Sequence, residues 1–127
     1  MNEFQIHQPS TLQEAHTLLD RFGEEARVIA GGTGLVQGMK LRLAQPEHLI
    51  ALQRVTGLAG IQDSDRGIRI GAMTTHREVE LSSLVRERIP FLAETYRHVA
   101  TVRIRNMATV GGGAVDPVCT GVQAVPE

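Results

Sequence analysis

The sequence predicts an α+β chain that opens on an α/β lobe. Three observations carry this: strand-length apolar runs alternate with helix-periodic segments, a strand–glycine–helix–strand unit spans Val28 to Leu52, and two glycine-rich stretches follow segments of regular pattern. A boundary is expected at residue 55, with residues 1–55 as a small α/β lobe and residues 56–127 as an incomplete second α+β lobe.

The elements follow in order. Phe4 to His7 reads as a short extended start ahead of Pro9. Ser10 and Thr11 stand three residues before Gln13 and Glu14, the spacing of a capping box, so a helix begins near Thr11. Leu12, Ala15, Leu19 and Phe22 share one face of it, and Gly23 supplies the C-terminal cap. Arg27 to Ala30 is a strand feeding the first glycine loop, Leu35 to Leu43 is helix-forming, and His48 to Leu52 is a second apolar strand beyond Pro46. This βαβ pattern favours parallel pairing. Leu58 to Gln62 and Ile68 to Ala72 flank a polar turn and predict a hairpin. Thr75 and Glu78 form another capping box, opening a helix with Val79 and Val85 inward. Pro90 starts a third helix with Leu92, Tyr96 and Val99 as its stripe, and Val102 to Met107 runs as strand into the second glycine loop.

Composition narrows the functional classes. With 127 residues, 42% of them hydrophobic, the chain supports one ordinary core but not two large domains. A net charge of −1 with interspersed signs is not the footprint of a nucleic-acid or membrane-surface binder. The single Cys119 permits no internal disulfide and no cysteine-built metal or iron-sulfur site, which points to a cytoplasmic setting. Neither a signal peptide nor a membrane span is expected. His7, His16, His48, His76 and His98 lack metal-ligand spacing, so no metal is expected, and the histidines read as surface or partly buried polar residues. Glu78 and Glu80 read as helix cap and surface, and no catalytic constellation is discernible.

The glycine stretches carry the chemistry. In Ala30-Gly31-Gly32-Thr33-Gly34-Leu35, glycines let successive N–H groups converge on a phosphate, with the Thr33 hydroxyl as an added donor. The alternative is a tight turn in which glycine only relieves strain. Thr109-Val110-Gly111-Gly112-Gly113 invites the same two readings, with Arg103, Arg105 and Asn106 just upstream as neighbours of an anion or as solvated surface. No Gly-Lys-Ser/Thr follows the first stretch, which excludes a nucleoside-triphosphate P-loop. A loose dinucleotide pattern keeps an NAD(P)-binding domain open, although Gln53, not an acid, ends the second strand.

Four segments in order, Ala30 to Leu35, Pro46 to Ile50, Ile70 to His76 and Val102 to Gly112, resemble the FAD-binding medium subunit of the molybdenum hydroxylases, the group of xanthine and carbon monoxide dehydrogenases. The resemblance implies a PCMH-type FAD-binding fold, of which this chain carries a truncated, N-terminal part. It implies FAD as cofactor, held by Val28, Ile29, Ala30, Gly31, Gly32, Thr33, Gly34, Leu35, Val99, Thr109, Val110, Gly111, Gly112 and Gly113. It further implies an electron relay between iron-sulfur clusters and NAD, a quinone or oxygen, with a molybdenum-cofactor large subunit and an iron-sulfur small subunit as partners. The chain departs from the family pattern at Gly113, where Asn is usual, and at Ala51 and Thr120, where Asp is usual. A non-catalytic remnant, or a partner-binding lobe without flavin, is the alternative.

Overall fold

The computed structural model describes residues 2–115; Asp116, Pro117, Cys119 and Thr120 lie outside the described residues. The chain packs as two compact units, Met1–Thr56 and Gly57–Glu127.

In the first unit the elements are β1 (Gln5–His7), α1 (Leu12–Phe22), a 3-10 turn (Gly23–Glu25), β2 (Ala26–Ile29), α2 (Leu35–Lys40) and β3 (His48–Ala51). The strands form one parallel sheet in the order β1-β3-β2, with Ile6 opposite Leu49 and Val28 opposite Ile50. The parallel pairing of β2 and β3 across α2 is the expected βαβ unit. Helix α1 starts as its sequence dictates: the Thr11 side chain accepts from the Glu14 amide, and the Glu14 carboxylate accepts from the Ser10 amide at 2.9 Å. Ala15, Leu18, Leu19 and Phe22 of α1 pack with Ala26, Ile50 and Leu52. Leu12, expected on that face, is 48% exposed because it occupies the first position of the helix, ahead of the strands it would cover. Helix α2 is shorter than the expected run to Leu43, since Arg42 takes φ +58° and the Leu43 and Ala44 amides both turn back to the Gly38 carbonyl.

In the second unit β4 (Ile61–Ser64) and β5 (Gly67–Ile70) form the expected antiparallel hairpin, closed over Asp65 and Arg66 with Ser64 paired to Gly67. Its first strand starts later than the apolar pattern implied, at Ile61 and not Leu58, and its second ends at Ile70 and not Ala72. Among the described residues five short helices follow: α3 (His76–Leu81), α4 (Ser83–Arg88), α5 (Pro90–Arg97), α6 (Val102–Arg105) and α7 (Val110–Val115). The Thr75/Glu78 capping box is present at the start of α3. The single helix expected from Thr75 through Val85 is two, because Ser82 adopts extended backbone and its hydroxyl caps α4 by accepting from the Val85 amide at 3.2 Å. Val79, Val85 and Ala93 form the core, flanked by Ile61, Ile68, Ile70, Leu92, Tyr96 and Val110. Among the described residues no helix is long and apolar enough to cross a membrane.

Two expectations are corrected here. Val102 to Met107 is not a strand: the Thr101 hydroxyl caps α6 by accepting from the Ile104 amide. The second glycine stretch is not a loop either but the body of α7, whose propensity cost is offset by tertiary bonds set out below.

Candidate functional site

The first glycine segment leaves the carboxyl end of β2, the end at which open parallel sheets bind ligands. Gly32 lies at φ +75°, and a Cβ there would meet Ile29 Cδ1 at 3.3 Å and Val36 Cγ2 at 3.4 Å. Its glycine is required by the backbone. Gly34 is different: at φ −92° and ψ −49° it holds a conformation open to any residue, so its backbone does not demand glycine.

The carbonyls of Gly32 and Gly34 accept from the Val36 and Gly38 amides, both at 3.0 Å, and are thereby turned into α2. The amides are left over. Among the described residues, no protein acceptor meets the N–H groups of Gly32, Thr33 or Gly34. Ala30 to Leu35 are half-buried, and the Gln53 side-chain amide donates to the Ala30 carbonyl, pinning the entry to the segment. Consecutive uncommitted amides, no side chain at Gly31 or Gly34, and an adjacent hydroxyl at Thr33 fit an anionic group such as a phosphate. Val28 is exposed on β2 and Ile29 lies beneath Gly32.

The second glycine segment does a different job. The amides after Thr109 are spent: Val110 donates to the Thr74 carbonyl at 2.9 Å, Gly111 to the Ala72 carbonyl at 2.8 Å, Gly112 to the Thr109 hydroxyl at 3.1 Å and Gly113 to the Thr109 carbonyl at 3.0 Å. The expected second cradle of free amides is therefore not formed. Glycine at 111 has a packing reason, since a Cβ would stand 2.8 Å from Ala72 Cβ and 2.9 Å from Ala72 O. At Gly112 a Cβ would approach Thr109 Oγ1 at 3.0 Å. What this segment offers a ligand is its half-buried glycine backbone, held rigidly.

Behind it lies a polar core that sequence reasoning missed. Glu80, expected on the surface, is buried and accepts from Arg105 Nε at 3.1 Å and Arg77 Nη1 at 2.9 Å. Burial pushes the Glu80 carboxyl up, but the bonds from Arg77 and Arg105 outweigh it and hold the pKa below the ordinary range. Arg105 also donates to the carbonyls of Val99 at 2.8 Å and Ala100 at 3.2 Å. It is thus a buried structural cation, not an anion ligand, while Arg103 is exposed. Val99 is buried, and in this arrangement it anchors Arg105.

His76, expected at or near the surface, is 1% exposed. Its Nε2 lies 3.1 Å from the Thr109 carbonyl, and Tyr96 meets the ring edge-on at 4.8 Å. Burial lowers the His76 pKa, the Thr109 bond partly restores it, and the Arg105 charge lowers it again. Burial likewise raises the Tyr96 pKa. No local signal marks these links, because 25 residues separate Glu80 from Arg105 and 33 separate His76 from Thr109. Elsewhere, Glu25, Glu47 and His48 place potential ligand atoms within 4.8 Å of one another through the β2–β3 register, but both carboxylates are exposed.

Comparison with known proteins gives the family. The family described as the FAD binding domain in molybdopterin dehydrogenase matches residues 2–120. The carbon monoxide dehydrogenase medium chain of Hydrogenophaga pseudoflava is 42% identical over 109 residues, 86% of this chain and 38% of that protein. The medium chain from Afipia carboxidovorans is 40% identical over 113 residues, 89% of this chain and 39% of that protein. Among solved structures, the H. pseudoflava carbon monoxide dehydrogenase lacking the Mo-pyranopterin moiety superposes with a TM-score of 0.87 at 41% identity, over 91% of this chain and 41% of that one. The chain thus spans about two fifths of the length of the curated relatives it matches.

Proposed function

This chain belongs to the family of FAD-binding domains of the molybdopterin dehydrogenases, an α+β family of PCMH-type fold whose cofactor is FAD, and we propose that it holds FAD as an electron-transfer module. The observation that carries this is the first glycine segment: the free amides of Gly32, Thr33 and Gly34 beside a glycine at 34 that the backbone does not need. Residues Val28 to Leu35 of the α/β lobe bind the pyrophosphate through those amides and the Thr33 hydroxyl. Thr109 to Gly113 of the second lobe present their glycine backbone to the cofactor, fixed by Thr74, Ala72 and Thr109. When bound, the flavin stores two electrons and exchanges them singly. The chain's own groups bind and orient it, and the buried Glu80–Arg105 pair ties α3 to α6.

In the complete protein this module relays electrons in the cytoplasm between iron-sulfur clusters on a small subunit and NAD, a quinone or oxygen. Substrate oxidation then falls to a molybdenum-cofactor large subunit. The relatives named above as medium chains of carbon monoxide dehydrogenase support this division of labour.

The test is FAD titration of the purified chain, read by visible absorbance after gel filtration, with NADPH in parallel. Stoichiometric flavin with no NADPH is the expected result. A folded chain that retains no flavin refutes the proposal in favour of a partner-binding lobe, and NADPH binding that ignores changes at Gly111 refutes it in favour of an NAD(P) domain.

A further inference from the structure

We infer that His76 is the positioning residue of the second glycine segment: its neutral, Nε2-protonated ring fixes the Thr109 carbonyl from which α7 springs, and gain of a second proton undoes that hold. The consequence for flavin rests on the function proposed above.

The tautomer follows from the partner. A carbonyl only accepts, so the 3.1 Å contact requires the proton on Nε2. That carbonyl also accepts from the Gly113 amide, while the Thr109 hydroxyl accepts from Gly112, so Thr109 is the start of α7 and His76 is the side chain that holds it. The backbone repeats the link: the His76 amide donates to the Ala108 carbonyl at 2.9 Å, and Thr75 bridges Thr109.

The other ring nitrogen supplies the second, independent observation. Nδ1 is buried and has no hydrogen-bond partner among the described residues. In the neutral ring this is an idle lone pair. In the imidazolium it becomes a donor without an acceptor, carrying charge into a site that already holds Arg105. Few groups around it can compensate. Tyr96 of α5 presents its ring, α6 presents the cation Arg105, Glu80 of α3 is taken by Arg77 and Arg105, and Glu78 is taken by the Thr75 cap. Protonation strengthens the Nε2–H bond to Thr109, but burial and the Arg105 charge outweigh that gain, so the charged ring is relieved by reaching water, which takes it off Thr109.

The sign is fixed by burial, which holds the folded pKa below 6.5. The hold on Thr109 is complete above 6.5 and is lost progressively as pH falls below that value toward the folded pKa.

The experiment compares wild type, His76→Gln and His76→Phe by FAD titration from about pH 7.5 to about pH 5.5, where a fully coupled proton weakens binding up to about tenfold. Gln keeps an amide donor near the Nε2 position and does not titrate; Phe removes the donor. Wild type is expected to lose affinity in acid, His76→Gln to stay flat near the wild-type neutral value, and His76→Phe to bind about fivefold more weakly at all pH values. An acid loss in His76→Gln equal to that of wild type overturns the inference. Amide exchange at Gly112 and Gly113 without flavin is the parallel readout: protection falls in acid for wild type and not for His76→Gln. If no variant binds flavin at any pH, the functional reading has failed, and coincident exchange profiles would separately overturn the role of His76.

Discussion

Replacing Gly111 by alanine separates a packing requirement from a cofactor requirement. The added Cβ would stand 2.8 Å from Ala72 Cβ, 2.9 Å from Ala72 O and 3.3 Å from Ala72 Cα. These are backbone or near-backbone atoms, so no rotamer change relieves them. Carbon contacts relax to about 3.5 Å, so α7 must retreat from Ala72 by most of an ångström. That retreat breaks the 2.8 Å bond from the Gly111 amide to Ala72. Overpacking costs about 1–3 kcal/mol and the lost hydrogen bond about 1 kcal/mol. For a unit of this size the sum corresponds to a fall in melting temperature of roughly 10–30 °C. The assay is thermal unfolding of the flavin-free chain, followed by circular dichroism. Adding Ala72→Gly removes the Cβ contact but not the carbonyl contact, so it should restore about half the loss. A Gly111→Ala chain as stable as wild type without flavin, or no rescue by Ala72→Gly, would refute the reasoning and return Gly111 to the cofactor.

The other predictions divide the same way. Gly32→Ala should cost about 1–2 kcal/mol in denaturant unfolding through its left-handed backbone. Gly34→Ala should leave stability within about 0.5 kcal/mol yet weaken FAD at least about tenfold, because its glycine serves close approach and not the fold. Equal stability losses at 32 and 34 would contradict this. Glu80→Ala should destabilise by about 3–5 kcal/mol, since it leaves Arg105 buried and unpaired. Because the Glu80 pKa is depressed on folding, its contribution is present above the unfolded value of 4.5 and is lost as pH falls through the folded pKa, which a pH series of urea midpoints reads directly. Thr75→Ala should cost about 1 kcal/mol by removing the cap of α3, measured by the same unfolding curves.

What could be read from sequence was local. Thr11 with Glu14 and Thr75 with Glu78 announce their helices because a cap and its partner lie within one turn. The βαβ unit was legible because Pro46 and the first glycines punctuate it. The second glycine segment was legible as important but not as helix: three glycines argue against α7, and only Thr74, Ala72 and Thr109, placed by the tertiary fold, supply the bonds that make it. Arg105 was misplaced for the related reason that its partner Glu80 sits on another helix. The accounting of free and spent amides, which separates the two glycine segments, exists only in three dimensions.

The strand order of the first unit fixes an order of assembly. β3 is the middle strand of the sheet but the last of the three to be synthesised. Until Ala51 has left the ribosome, β1 and β2 have no neighbour to pair with, and α1 lacks Ile50 and Leu52 on which to close. The sheet therefore cannot be laid down strand by strand from its N-terminus: it is completed only with β3, and β1 joins it across more than forty residues of sequence.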